Sequence, residues 1–246
     1  MLFAIVATLG ALIPTTVYVL FVWWLDRYEK EPLWLLALAF LWGAVPAAII
    51  SIFLELLLDI PIMAVGGEGL VGNLASVSVN APLVEESAKG IALLGLVLVF
   101  QREFDDVLDG IIYGAMIGFG FAFTENLTAY YLPILTSEGL EAGMTNIFLR
   151  SVVFGFNHAF WTGITGAAIG YARLSPDWRR RILVPVGGWM LAVMFHSVHN
   201  AGVTLVEQTF ALSLGVSLVV DWGGLLLLML VAFFVLRKER GLSLIH

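Results

Sequence analysis

The stretch LWLLALAFLWGAVPAAIISIFLELLL, residues 33–58, contains one charged side chain, that of Glu55. About 20 consecutive apolar residues suffice for a helix to cross the hydrocarbon core of a bilayer, so this stretch predicts a membrane-spanning helix. The whole chain of 246 residues is 60% hydrophobic and 13% charged, with a mean hydropathy of +0.97. Soluble globular domains do not normally have such a composition. We therefore expect an all-α polytopic membrane helix bundle.

Polar residues divide the chain into seven apolar stretches, which we interpret as one integral membrane domain covering residues 1–246. The predicted spans are residues 2–25, 33–58, 77–100, 108–132, 147–172, 182–206 and 212–236. The third stretch is the least apolar, because Glu85, Glu86 and Lys89 lie in its first half. A broken or re-entrant helix is an alternative there.

The basic residues indicate the orientation of the bundle. Ten of the 12 Lys and Arg residues follow the first, third, fifth or seventh span. They are Arg27, Lys30, Arg102, Arg173, Arg179, Arg180, Arg181, Arg237, Lys238 and Arg240. Loops rich in Lys and Arg stay in the cytoplasm, so the N-terminus is predicted outside and the C-terminus inside.

The composition also excludes several kinds of site and one class of partner. The chain has no cysteine, which excludes disulfides, thiol nucleophiles and thiolate metal sites. Its formal net charge is -7 and no long basic run occurs, so nucleic acid is not expected as a partner.

Ionisable side chains at membrane depth are the main functional signal, because each one is costly to bury in lipid. They and their amide neighbours are Glu85, Glu86, Lys89, Glu125, Asn126, Asn157, His158, His196, His199, Asn200 and Asp221. At 1.5 Å of rise per residue, the candidates on all five helices lie about 9 to 16 Å from the predicted outer helix ends. Helices that run in opposite directions thus bring their polar residues to one level, as a shared site requires.

This set contains more carboxylates than cations, and such an excess needs protons or a bound cation to offset it. Because histidines lie nearby, a divalent metal such as zinc is the predicted cofactor. Several residues have plain structural alternatives. Lys89 could equally form a structural ion pair within the bundle. His199 and Asp221 are expected to contact the reacting residues rather than to react themselves.

A metal held by imidazole and carboxylate, together with a free carboxylate as base, can hydrolyse an amide bond. The soluble metalloprotease motif His-Glu-x-x-His is absent, as are the Gly-x-Ser-Gly and Gly-x-Gly-Asp motifs expected of serine and aspartyl intramembrane proteases. The predicted chemistry therefore belongs to a different class of intramembrane hydrolase.

Several motifs resemble one such class. The residues 85–89, EESAK, match Glu-Glu-x-x-Lys, and 121–125, FAFTE, match Phe-x-x-x-Glu. With DRYEKEP at 26–32, the Asp109-Gly110 pair and HAFWT at 158–162, they make residues 20–202 similar to the PrsW family of intramembrane metalloproteases. The wider relatives are the CAAX prenyl endopeptidases and the gamma-secretase Aph subunit.

The resemblance implies roles for individual residues. Glu85 would be the base that activates water, and Glu86 its partner or a metal ligand. Asn200, in a segment similar to the His-x-x-x-Asn motif of the CAAX enzymes, would help to bind the oxyanion. Those enzymes have Phe-x-x-x-His where this chain has Glu125. The ligand set that we predict is Glu125, His158 and His196, and the alternatives to one of these ligands are Glu86, His199 and Asp221.

The resemblance also implies a bacterial or archaeal cell membrane and a membrane-anchored protein substrate, cut near the outer face. The substrates of the family's regulated intramembrane proteolysis are anti-sigma factors. Two other functions fit intramembrane carboxylates: a non-catalytic scaffold that binds substrate helices, and an ion-coupled transporter. Stoichiometric metal would argue against the scaffold, and ion flux would argue for the transporter.

Overall fold

The computed structural model describes residues 1–26 and 30–243, and for residues 207–214 and 238–243 the backbone alone. All regular elements in these ranges are helices. They are α1 (Leu2–Leu25), α2 (Leu33–Trp42), α3 (Ala48–Gly66), α4 (Leu70–Ala75), α5 (Ala81–Val99), α6 (Val107–Glu125), α7 (Leu132–Ser137), α8 (Leu140–Phe148), α9 (Asn157–Arg173), α10 (Trp178–Thr204) and α11 (Val206–Ser243). Short π-helical segments, in which one extra residue widens the turn, are Gly43–Ala47, Ser76–Asn80, Asn126–Tyr131 and Leu149–Val153.

Five helical runs in the described chain are long and apolar enough to cross a membrane. They are Leu2–Leu25, Leu33–Gly66, Val107–Ser137, Trp178–Thr204 and Gly215–Arg237. The fold class is therefore confirmed as an all-α polytopic membrane bundle. The predicted spans 77–100 and 147–172 are not among these five runs. Helix α5 carries three charges, and α9 has 17 residues.

Helices α6 and α9 pack backbone against backbone along a row of glycines. A Cβ atom on Gly114 would lie 2.6 Å from the carbonyl oxygen of Thr162, and one on Gly118 would lie 2.3 Å from that of His158. Real side chains cannot approach so closely, so only glycine allows this interface. The packing fixes the start of α9, including His158, against the end of α6.

The helix directions bring four helix ends to one level. The starts of α5 and α9 and the ends of α6 and α10 lie together, and these ends carry the polar residues singled out above. In the predicted orientation this is the outer end of the bundle. That orientation stays a prediction, and Arg27, Tyr28, Glu29 and the side chains of Lys238 and Arg240 lie outside the described residues.

The opposite end holds a cluster of acids beside the start of α6. The buried Glu31 accepts a hydrogen bond from the Tyr113 hydroxyl and shares one with Asp109, while its backbone N–H donates to Asp26 Oδ2 at 2.7 Å. Burial, followed by the hydrogen bond to Asp109, raises the pKa of Glu31 to about 9, although the Tyr113 hydroxyl opposes the shift. Glu31 therefore keeps its proton in the folded protein at neutral pH.

Candidate active site

Lys89 lies at the centre of the polar site and is fully buried. Its Nζ atom donates to Glu86 Oε1 at 2.9 Å, to Glu85 Oε2 at 3.1 Å and to His158 Nδ1 at 2.9 Å. The ammonium also lies 3.8 Å from the centre of the Phe121 ring, which adds a cation–π contact. One cation thus joins two carboxylates of its own helix to an imidazole of α9.

Glu86 is held from three sides. Besides Lys89, it receives a hydrogen bond from the Thr162 hydroxyl at 3.2 Å on Oε2, and its Oε1 lies 3.1 Å from His196 Nδ1. His196 in turn stacks on the Trp161 ring at 3.9 Å. These contacts fix both side chains in one orientation, because both oxygens of Glu86 and the Nδ1 atom of His196 have partners on a different helix.

His158 has a second carboxylate on its other side. Its Nε2 atom lies 3.0 Å from Glu125 Oε2, and the same oxygen accepts a hydrogen bond of 2.6 Å from Arg150 Nη2. Arg150 Nε donates to Asn126 Oδ1 at 2.6 Å. Since Lys89 donates to Nδ1, Nε2 carries the ring proton in this arrangement, and the Nδ1 lone pair faces the centre of the site.

Four residues could hold a metal together. One donor atom from each of Glu85, Glu86, His158 and His196 lies within 4.8 Å of all the others, and all four residues are buried. Two imidazoles and two carboxylates suit zinc and similar divalent metals. Lys89 Nζ, hydrogen-bonded to three of them, occupies the space among them as a cation. The donor set has the chemistry of a divalent metal site, and a bound ion would replace the contact between Lys89 and the single lone pair of His158 Nδ1.

The charges at the site nearly balance. Three carboxylates, those of Glu85, Glu86 and Glu125, face two cations, Lys89 and Arg150. One negative charge is left when both histidines are neutral, and an unpaired charge at this depth is costly. A proton on one of the carboxylates or a bound cation would offset this charge.

The structure brings most of the predicted site residues together, but not all in the expected places. His158 and His196 belong to the metal-competent group, whereas Glu125 lies on its far side and contacts only the Nε2 edge of His158. Asn200 Nδ2 donates to the Val77 carbonyl at 2.9 Å, which ties α10 to the π-helical segment before α5. The group contains Glu86, which the sequence had offered as an alternative ligand, and does not contain Glu125.

His199 and Asp221 form a separate pair beside Trp161. His199 Nδ1 lies 2.6 Å from Asp221 Oδ2, and Asn157 Nδ2 donates to the same oxygen at 3.1 Å. The Trp161 ring contacts both histidines of α10, with its centre 3.9 Å from that of His196 and 5.5 Å from that of His199. Both members of the pair are thus buried near the metal-competent group without belonging to it.

Sequence reasoning missed three residues that shape the site: Arg150, Thr162 and Trp161. Arg150 was detectable, because it is a basic residue far from the predicted cytoplasmic ends. Thr162 follows His158 by four residues, a spacing that places both on one face of a helix. Nothing in the sequence pointed to Trp161, whose role depends on how α9 meets α10.

A cavity of about 30 Å³ adjoins the site, which is room for about two water molecules. Its polar lining includes Glu125, Arg150, His158, His196, His199 and Asn200. π-helical segments directly follow Glu125 and contain Arg150. Such widened turns are frequent at functional sites, and here they turn both side chains inward.

Comparison with known proteins agrees with this geometry. Residues 31–236 match the model of the PrsW family intramembrane metalloproteases. Protease PrsW of Geobacillus kaustophilus is 28% identical over 202 residues, covering 80% of this chain and 79% of the relative. Protease PrsW of Clostridioides difficile is 27% identical over 204 residues, covering 83% and 81%. Protease PrsW of Bacillus subtilis is 31% identical over 152 residues, covering 62% of each.

No solved structure matches the chain significantly. The family match spans the paired glutamates, both histidines of the metal-competent group and the apolar helices that carry them. The chain therefore belongs to the PrsW family of intramembrane metalloproteases, and it is a multi-pass membrane protein that hydrolyses peptide bonds.

Proposed function

We propose that this protein is a zinc-dependent endopeptidase that cuts membrane-anchored proteins near the outer face of the membrane. The substrates would resemble anti-sigma factors, whose cleavage begins a regulated intramembrane proteolysis. The observation that carries the proposal is the buried group of two glutamates and two histidines, contributed by three helices and adjoining a small polar cavity.

His158, His196 and Glu86 would hold the metal. Glu86 Oε1 and His196 Nδ1 are 3.1 Å apart, a separation close to that of two ligands on one tetrahedral zinc ion. His158 presents Nδ1 from the opposite side, beside Lys89. A zinc ion bound there lowers the pKa of a coordinated water molecule and polarises the scissile carbonyl.

Glu85 would be the general base. Its Oε2 atom bonds to Lys89 and lies 3.9 Å from His158 Nδ1 and 4.0 Å from His196 Nε2. Within the described residues, its Oε1 atom makes no hydrogen bond, so one carboxylate oxygen is available to take a proton from water. Glu86 lacks this freedom, because both of its oxygens have partners.

Glu125 would orient His158 rather than bind the metal, contrary to the ligand set proposed from sequence. Its carboxylate accepts from Nε2, which presents the other nitrogen to the metal, and Arg150 holds the carboxylate in place. Carboxylates in this position fix the tautomer of a ligating histidine. Asn200 keeps one amide N–H beyond its bond to Val77 for the oxyanion of the substrate.

The position of the site along the axes of the helices supports cleavage near the outer face of the membrane. All its residues lie at the end of the bundle where α5 and α9 begin and where α6 and α10 end. The basic residues predict that this end faces outward. A membrane-anchored substrate would reach it by unwinding a few residues at that interface.

The test is cleavage of a membrane-tethered reporter in proteoliposomes. Glu85→Gln keeps the shape of the side chain but removes the base, so the cleavage rate should fall by about 10²–10⁴-fold. Glu141→Gln changes an exposed acid of α8 and should cleave at the wild-type rate. Wild-type activity in a correctly folded Glu85→Gln variant would refute the assignment.

A further inference from the structure

His199, which pairs with a carboxylate of its own, lines the same cavity as His158 and His196. His199 on α10 and Asp221 on α11 are both buried, and a distance of 2.6 Å joins His199 Nδ1 to Asp221 Oδ2. Asn157, next to His158 in the chain, donates to the same carboxylate oxygen at 3.1 Å. None of these three residues belongs to the metal-competent group.

Placing the Asp221 carboxylate in this apolar helix costs free energy. It is the sole charged residue between Gly215 and Leu236, in a run that is otherwise suited to lipid. A purely structural carboxylate would use both oxygens, yet Asp221 Oδ1 is buried without a hydrogen-bond partner in the described part of the chain. The oxygen that does form hydrogen bonds, Oδ2, contacts the imidazole of His199. We infer that the role of Asp221 is to orient this ring.

The orientation leaves the other ring nitrogen of His199 for chemistry. The distance from His199 Nδ1 to Asp221 Oδ2 is shorter than the 3.2 Å that separates His199 Nδ1 from Asn157 Nδ2. We therefore place a proton on His199 Nδ1, which donates to the Asp221 carboxylate. Among the described residues, none forms a hydrogen bond with His199 Nε2. His199 lines the cavity together with His158 and His196, and the Trp161 ring contacts both His196 and His199.

We propose that His199, oriented by Asp221 and Asn157, is the proton donor to the leaving nitrogen of the cleaved peptide bond. The inference rests on the proposed function and adds a catalytic residue to it. His199 would donate from Nε2, while the Asp221 carboxylate accepts from Nδ1 and holds the ring in place. Asp221 and Asn157 are positioning residues, because they act through His199.

The proton balance of this step is complete. Glu85 takes a proton from water as the hydroxide oxygen bonds to the carbonyl carbon. His199 gives its Nε2 proton to the nitrogen as the C–N bond breaks, and the products are a carboxylic acid and an amine. The proton on Glu85 then returns through solvent water to neutral His199, which restores both groups.

The test compares two leaving groups in one membrane-tethered substrate. An amide nitrogen must be protonated to leave, whereas the thiolate of a thioester leaves without a proton. His199→Gln should therefore lower kcat for the amide by about 10²–10⁴-fold and leave kcat for the thioester within about threefold of the wild type. KM and bound zinc should stay unchanged for both.

Asp221→Asn provides a second variant if His199→Gln does not fold. It should lower amide turnover selectively as well, because an amide side chain no longer stabilises the imidazolium. Ser217→Ala is the matched control, since Ser217 is buried on the same helix one turn earlier and has no hydrogen-bond partner within the described residues. Its turnover of both substrates should equal that of the wild type.

Equal losses on the amide and the thioester, or loss of zinc, would overturn the assignment of His199 as proton donor. Wild-type amide turnover in both variants would overturn it too, while leaving the protease assignment intact. A wild-type protein that cleaves neither substrate would refute the proposed function, and with it the role of His199 as proton donor.

Discussion

Replacing Gly118 by alanine tests whether the contact between α6 and α9 positions the site. The added Cβ atom would lie 2.3 Å from the carbonyl oxygen of His158, 2.5 Å from its carbonyl carbon and 2.6 Å from the backbone nitrogen of Ala159. Ordinary contacts between such atoms begin at about 3.5 Å, so the two helices must separate by about 1 Å. All three atoms belong to the backbone and cannot rotate away.

Two effects should follow. Overpacking of this kind costs about 1–3 kcal/mol, which lowers the thermal unfolding midpoint in detergent. His158 moves with the start of α9, and a misplacement of about 1 Å in an active site can cost about 100-fold in rate. We therefore expect Gly118→Ala to be less stable and to cleave a membrane-tethered reporter about 100-fold more slowly.

Gly95→Ala is the matched control on α5. Among the described residues outside its own helical turn, no atom lies within 4 Å of the position that its Cβ would occupy, so this variant should be as active as the wild type and equally or slightly more stable. If Gly118→Ala unfolds at the wild-type temperature and cleaves at the wild-type rate, the close packing of α6 and α9 does not set the geometry of the site.

Two further variants probe the roles of acids at opposite ends of the bundle. Glu125→Gln should still bind one zinc ion, but with an affinity lower by about 10–100-fold, as measured by competition with a chromogenic chelator. Complete loss of zinc would make Glu125 a ligand after all. Glu31→Gln should change how stability depends on pH. The raised pKa of Glu31, about 9, means that the folded wild type binds a proton that the unfolded chain releases, so its stability falls as pH rises from the ordinary carboxyl value near 4.5 towards 9. The unfolding temperature of Glu31→Gln should therefore rise relative to that of the wild type as the pH increases from about 5 to about 8. A difference in unfolding temperature that does not change with pH would contradict a buried, protonated Glu31.

The fold class and the level of the site could be predicted from sequence, because both follow from simple physical terms. The cost of burying polar backbone and side chains in lipid dictates helices of a given length. The alternating direction of those helices then places Glu85, His158 and His196 at one depth. No long-range detail is needed for either conclusion.

The division of roles among the acids could not be predicted. Whether Glu86 or Glu125 faces the two histidines depends on how α5 and α6 are rotated about their axes. It also depends on Arg150, which reaches Glu125 from 25 residues further along the chain. Likewise, the sequence left open whether Lys89 is a structural ion pair or a member of the site. Its three contacts with Glu85, Glu86 and His158 show that it is both.

We propose that Glu86, His158 and His196 hold a catalytic metal. This claim can be checked by elemental analysis of the zinc bound per chain after loading and desalting in detergent. The wild type, Glu85→Gln and the exposed control Glu141→Gln should each retain about one zinc ion per chain, whereas His196→Gln should retain almost none. An active wild type without metal, or a folded His196→Gln variant with stoichiometric zinc, would contradict the claim.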